Sequence, residues 1–265
     1  MSTPSRSKDL YAAVDSRRAS PLMNAIDREL RRVHRIATAE GMVGDDDLAE
    51  VIRALGIDAG TSLIDLGCGS ASPSGAIASE TRCPVVAIDI NVARLARIDR
   101  ALPIEPLCAD LNNGIPLRGA TFHAATQFDS IVHVESKDRH LADLRTLLRP
   151  GGRLALTSST NASLDDDWRR RLGDVPGTIW RLSTDALVAT ITGAGFTVET
   201  VRSRREQVRG WQESRRDALL ASRAELLSEM SAAHHRHALD RSTSVATLLR
   251  ERQLDMVLVV AVRTD

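Results

Sequence analysis

Apolar residues recur at helical spacing through the first 56 positions. After Ser20-Pro21, an N-cap followed by proline at the first helical position, Leu22, Ile26, Leu30 and Val33 share one face, and a helix stopping near Gly41 is expected. A second helix fits 46–55, with Leu48, Val51, Ile52 and Leu55 apolar and Gly56 closing it. After residue 60 the pattern changes to short apolar runs separated by helical stretches, the alternation of βαβ units around a buried parallel sheet. Five strands are expected at 61–66, 84–89, 104–109, 122–127 and 153–158. Between them, Asn91 caps a stripe of Val92, Leu95, Ile98 and Leu102. A second stripe of Leu141, Leu144, Leu147 and Leu148 ends where Arg149-Pro150-Gly151-Gly152 breaks the helix. Further on, 183–194 reads as a helix ending at Gly195, 196–202 as a strand and 254–263 as a final, valine-rich strand. An arginine-rich helical stretch, 211–235, lies between the last two strands.

Composition narrows the function classes. The 265 residues, 43% hydrophobic and 26% charged, bury a sizeable core. Thirty-five basic residues against 35 acidic ones leave no long-range field to draw the chain onto nucleic acid or an anionic membrane. Three cysteines, Cys68, Cys83 and Cys108, form no C-x-x-C pair and support neither a disulfide framework nor a zinc knuckle. The opening residues lack an apolar signal-peptide core, and the longest apolar run, 256–262, falls far short of the roughly 20 residues that span a bilayer. A soluble, cytoplasmic protein is expected. Lys8 and Lys137 are its only lysines, and seven aromatic residues leave little for a cationic cage or a base-stacking platform.

The chemistry starts at Ser62-Leu-Ile-Asp-Leu-Gly-Cys-Gly-Ser-Ala-Ser72, where a G-x-G turn follows a strand, and at Asp89, which ends the next strand 20 residues beyond Gly69. Glycines let the backbone approach a ligand, and an acid at that strand tip accepts hydrogen bonds from ribose hydroxyls. A dinucleotide fingerprint would have glycine at Ser72. Asp65, just before the glycines, repels phosphates and suits a cationic amine, which disfavours a nicotinamide dehydrogenase and favours S-adenosylmethionine.

From about Leu48 to the C-terminus the chain resembles the class I S-adenosylmethionine-dependent methyltransferases, in particular the branch that methylates metabolites and natural products. Asp65-Leu-Gly-Cys-Gly69 looks like that family's first motif, and Val86-Ala-Ile-Asp-Ile-Asn91 like its second. Cys108-Ala-Asp-Leu111 followed by Ile115-Pro-Leu117 is similar to the stretch that meets the adenine. Phe122-His-Ala-Ala-Thr-Gln127 with Asp129-Ser-Ile-Val-His-Val134 matches strand four and its loop. Leu148-Arg-Pro-Gly-Gly-Arg-Leu154 matches the turn into strand five, and Ala194-Gly-Phe196 the entry to strand six. The resemblance implies a Rossmann-like α/β fold: a seven-stranded mixed sheet, last strand antiparallel, with helices on both faces and a helical cap. It implies a single domain, with 1–56 as N-terminal cap, 57–202 as cofactor core, 203–250 as an insertion over the acceptor site and 251–265 as final strand. The implied cofactor residues are Asp65, Gly67, Cys68, Gly69, Asp89, Ile90, Asn91, Ala109, Asp110, Leu111 and Gln127, with Asp89 on the ribose and Asp110 on the adenine amino group. Departures occur at His123, where an aspartate is common, at Ser158-Ser-Thr160, where an acid is often found, and at Ala71 and Ser72, which replace glycines.

Methyl transfer asks mainly for alignment and exclusion of water. A hydroxyl or carbon acid also needs a base, and His133, beyond strand four, is the candidate, the alternative being a ring that hydrogen-bonds its own loop. Asp129 and Glu135 either orient it or cap the following helix. Cys68 reads as a small filler. His234-His-Arg-His237 lacks an accompanying acid or cysteine cluster, reads as a solvated helix end, and no metal is expected. From 202 to 223 seven arginines face Glu206, Glu213 and Asp217, an exposed face or an anion-holding patch. The insertion that carries them covers the acceptor pocket as a lid or supports a homodimer. The expected function is methylation of a small organic metabolite, on oxygen ahead of nitrogen or carbon. The alternatives are a protein of this fold that binds the cofactor but catalyses a cyclisation or rearrangement, or a binding module. Gln127-Phe-Asp-Ser130, where an acid-proline-aromatic-aromatic tetrapeptide would stand, argues against nucleic-acid methylation.

Overall fold

The computed structural model describes residues 20–38, 42–119, 122–161, 172 and 177–264. Within them seven strands form one sheet: β1 (Leu63–Leu66), β2 (Val85–Asp89), β3 (Ile104–Cys108), β4 (Phe122–Phe128), β5 (Leu148–Asn161), β6 (Phe196–Ser203) and β7 (Leu254–Arg263). Their order is β3-β2-β1-β4-β5-β7-β6; the first five run parallel and β7 is antiparallel to both β5 and β6. The strand order reverses between β1 and β4, and in open α/β sheets ligands bind outside the carboxyl ends of the strands at such a point. All four β1 residues are buried, as expected of a central parallel strand covered on both faces.

Helices α1 (Pro21–Val33) and α2 (Asp45–Leu55) precede the sheet. Contrary to expectation, α1 stops well before Gly41, which lies outside the described residues. Arg35 takes a left-handed φ of 51°, Ile36 N–H reaches back to the Arg31 carbonyl, and Ile36 then bridges Gly44. Helix α3 (Ser72–Thr81) follows the glycine turn, its entry made by Ala71 at φ 57°, a conformation that favours glycine. The next helix, α4 (Val92–Leu95), is far shorter than its apolar stripe. Ile98 is buried, but Arg97 and Ile98 make three-residue turns, and Asp99 accepts the Ala101 N–H, which draws the chain out of the helix.

Helices α5 (Lys137–Leu147) and α6 (Thr184–Gly193) cover one face of the sheet. The helical stretch expected at 211–235 is longer and broken: α7 (Arg205–Ala221), α8 (Arg223–Glu229) and α9 (Ala232–Arg250), with Ser231 capping the last by accepting the His234 N–H. Its arginines are largely spent on ion pairs: Arg202 and Arg204 on Asp47, Arg205 on Asp255, Arg209 on Glu206 and Glu213, Arg215 on Asp27, Arg216 on Asp217. Helix α1 packs on this unit through Met23, Leu219 and Leu226, and the Glu229 carboxylate accepts from Ser20 Oγ at 2.5 Å and Leu22 N–H at 2.9 Å. Among the described residues no helix is long and apolar enough to cross a membrane.

Candidate active site

The loops after β1, β2, β3 and β4 open into one cavity of about 980 Å³ roofed by α1, α7 and α9. On its sheet side stand Asp65, Gly67, Cys68, Gly69, Asp89, Ile90, Ala109, Asp110 and Leu111, brought together as the sequence led us to expect. Asp65, 1% exposed, accepts from Thr126 Oγ1 at 2.9 Å. Gly67 has φ 67°, and a β-carbon there would lie 2.5 Å from Ser130, whose hydroxyl donates to the Leu66 carbonyl at 2.7 Å. This glycine thus lets the β4 loop seat on the glycine turn. Asp89 ties the turn to its own strand, one oxygen accepting the Gly69 N–H and the other the Asn91 N–H, both at 2.8 Å. Each oxygen keeps a second lone pair, which suits a pair of ribose hydroxyls. Asp110 accepts the Asn112 N–H at 3.0 Å and caps a turn of 3₁₀ helix (Leu111–Asn113). Cys68 is buried beside these groups as a small filler.

Two expected cofactor residues lie elsewhere. Gln127 is fully buried and absent from the cavity wall; strand alternation turns its side chain toward α5, where His140 Nε2 donates to its Oε1 at 3.1 Å. Burial lowers the His140 pKa to about 4, so the ring is neutral. The Asn91 side chain caps α4 by accepting the Arg94 N–H, and the cavity lining does not include it. His123 lies at the start of β4, where its Nδ1 accepts from Ser62 N–H at 3.1 Å and stitches β1 to β4.

His133 lines the cavity from the other side. Its Nδ1 lies 2.9 Å from the Thr178 carbonyl; a carbonyl only accepts, so Nδ1 carries the hydrogen and Nε2 is the basic nitrogen of the neutral ring. Asp129, at φ 52°, also lines the cavity and caps no helix; its N–H donates to the Thr157 carbonyl at 3.0 Å. Burial raises its pKa, opposed by the charges of His133, Arg181, Arg241 and Arg204. Glu135 is exposed and outside the wall, so of the two acids Asp129 is the one that shares the cavity with His133.

Sequence reasoning missed how the His133 loop is held. Trp180 N–H donates to the Val132 carbonyl at 2.7 Å, and Lys137 Nζ donates to the carbonyls of Val134 at 2.7 Å and Trp180 at 2.5 Å. Asn112 joins the adenine-side loop to the same segment, donating to the His133 carbonyl and accepting the Glu135 N–H. Lys137 is 6% exposed, and burial lowers its pKa to about 8. The signal was present: Lys137 is one of two lysines in an arginine-rich chain, and its compact ammonium donates to two carbonyls here.

On the helical side, Arg215 binds Asp27 at 2.8 Å and Ser242 Oγ at 3.0 Å, and lies over the Trp211 ring, 5.6 Å from its centroid. His234 and His237 are exposed, and His235 is buried against the Leu219 carbonyl. The described residues contain no metal-binding cluster.

Residues 64–156 match the family model described as a methyltransferase domain. The fold is that of the class I S-adenosylmethionine-dependent methyltransferases. Its strand order, with antiparallel β7, is that of this methyltransferase fold. Among curated relatives, O-methyltransferase cnsE of Penicillium expansum is 30% identical over 183 residues, 65% of this chain and 64% of that one. The 27-O-demethylrifamycin SV methyltransferase of Amycolatopsis mediterranei is 25% identical over 226 residues, 80% of each chain. The chain spans just under two thirds of two of the curated methyltransferases it matches, 63% and 64%, and less than half of two others, 47% and 43%. Among solved structures, phosphoethanolamine N-methyltransferase 2 of Haemonchus contortus, in complex with S-adenosylhomocysteine, superposes with a TM-score of 0.73 at 15% identity, covering 84% of this chain and 53% of that one.

Proposed function

We propose that the protein transfers a methyl group from S-adenosylmethionine to a hydroxyl of a small organic metabolite. The observation that carries this reading is the convergence of Asp65, Asp89 and Asp110 on one side of a cavity whose other side presents His133 Nε2. The carboxylates at and beside the glycine turn fit a cationic adenosyl ligand. When bound, that ligand supplies an electrophilic methyl carbon on a sulfonium. Asp89 accepts the ribose hydroxyls, Asp110 meets the adenine amino group, and Asp65 favours the ammonium end. His133 Nε2 would take the acceptor proton as the oxygen–methyl bond forms and the methyl–sulfur bond breaks, the sulfur leaving as the neutral thioether, and the Asp129 carboxylate would stabilise the resulting imidazolium.

Helix α1 and the 203–250 insertion serve as the cap, supported by the Asp27–Arg215 pair and by Trp211 and Met230 on the cavity wall. The free cysteines Cys68, Cys83 and Cys108 accord with a cytoplasmic setting. O-methylation is also the activity in the printed names of cnsE and the rifamycin relative. The test is formation of S-adenosylhomocysteine with hydroxylated acceptors, alongside calorimetry of cofactor binding. Binding without turnover across acceptors would leave a cofactor-binding protein of another chemistry; no binding would remove the reading altogether.

A further inference from the structure

Four of the five methionines in the chain line this one cavity: Met23, Met42, Met230 and Met256. They come from α1, the turn before α2, the link between α8 and α9, and β7, so no helical stripe gathers them. The fold does so, from positions more than 200 residues apart. Around them the wall continues with Val208, Val245, Leu254 and Ile179. Methionine is unbranched and turns about three bonds, so a wall built from it reshapes where leucine or isoleucine would hold one outline.

Three of the arginines on this wall are tied down. Arg215 is held by Asp27 and Ser242, Arg181 donates to Ser159 Oγ at 3.1 Å, and Arg241 donates to the Leu172 carbonyl at 3.1 Å. Phe128 and Trp211 are the aromatic residues of the described wall, too few to cage an ammonium, and Arg215 covers one face of Trp211. The cavity, about 980 Å³, stands at the top of the roughly 300–1,000 Å³ range of small-molecule sites, which leaves room for a second organic molecule beside an adenosyl ligand.

We infer that the acceptor is a bulky, mainly apolar, uncharged hydroxylated molecule, and that the methionine wall admits several such skeletons instead of one. The hydroxyl's position at His133 rests on the methyl-transfer reading; the wall's preference is tested without it. Protein loaded with S-adenosylhomocysteine is titrated in a calorimeter with estradiol and emodin, two apolar hydroxylated skeletons of different shape, and with sarcosine and phosphoethanolamine, small charged probes. Both apolar probes are expected to bind with affinities within about ten-fold of each other, and the charged probes not to bind. Replacing all four methionines by leucine conserves volume, and is expected to widen the gap between the two apolar probes by about ten-fold or more, the effect of a misfitting methylene or two. Met42→Leu with Met230→Leu, both half-buried, repeats the comparison should the fourfold variant fail to fold. An unchanged gap in the leucine variants overturns the role of the methionines, and preferential binding of the charged probes overturns the acceptor class. Apolar probes that bind in this way yet yield no S-adenosylhomocysteine from S-adenosylmethionine uphold the wall inference while removing the methyl-transfer reading.

Discussion

Lys137→Met tests whether a buried ammonium holds the His133 loop. The side chain is 6% exposed, and burial takes its pKa from an ordinary 10.5 to about 8. That difference corresponds to about 3 kcal/mol by which burial disfavours the charged form. Below pH 8 both folded and unfolded chains carry the proton and the whole penalty is present. Between pH 8 and 10.5 the unfolded chain binds the proton that the folded chain has released, so stability rises with pH. The methionine variant lacks this rise, and the stability advantage of wild type over variant should grow by about 2 kcal/mol between pH 7.5 and 9.5. At pH 7.5 the variant leaves the Val134 and Trp180 carbonyls without a donor, at about 1–3 kcal/mol each, but no longer buries a charge, so its net loss is at most about 3 kcal/mol. Urea unfolding at pH 7.5, 8.5 and 9.5 measures the trend. Turnover should fall about ten-fold at unchanged cofactor affinity, because the loop that aims Nε2 is loosened. A stability difference constant across that pH range refutes the burial reasoning, and unchanged turnover refutes the latch.

On the proposed reading Asp89→Ala removes an acceptor of two ribose hydrogen bonds worth about 1.5–3 kcal/mol each, and calorimetry should record cofactor affinity at least about 100-fold weaker. His133→Ala should lower kcat by roughly 10²–10⁴-fold with cofactor affinity intact, measured as S-adenosylhomocysteine formed from a hydroxyl acceptor. His140, held neutral with a pKa near 4 against an ordinary 6.5, contributes stability that is complete above pH 6.5 and lost as pH falls toward 4; His140→Gln should flatten unfolding free energy between pH 7 and 5 by about 2 kcal/mol. Asp47, 2% exposed, pairs with the buried Arg204 and with Arg202, both at 2.6 Å, and Asp47→Ala should cost about 3–5 kcal/mol in urea unfolding because it strands a buried guanidinium.

The central strands were legible because a parallel strand covered on both faces is apolar along most of its length, as Leu63–Leu66 and Val85–Asp89 are but for Asp65 and Asp89. The cofactor side was legible for a related reason: Gly67, Gly69 and Asp89 sit at the carboxyl tips of adjacent strands, so spacing along the chain translates directly into spacing across the sheet. Local pattern failed where tertiary partners decided. The α4 stripe continues to Leu102, yet Asp99 turns the chain away after Leu95; Gln127 ends the right strand but faces the wrong side of it.

Local order along the chain therefore established the fold class and pointed to the candidate cofactor edge and the candidate base, all of which depend on neighbours a few residues apart or on strand tips in sequence order. The acceptor half depended on contacts between distant segments. Lys137 clasps Trp180 across 43 positions, Asp27 meets Arg215 across 188, and four methionines converge from opposite ends of the chain. No periodicity encodes such meetings, because packing free energy depends on which surfaces are brought together in space and not on their separation along the backbone.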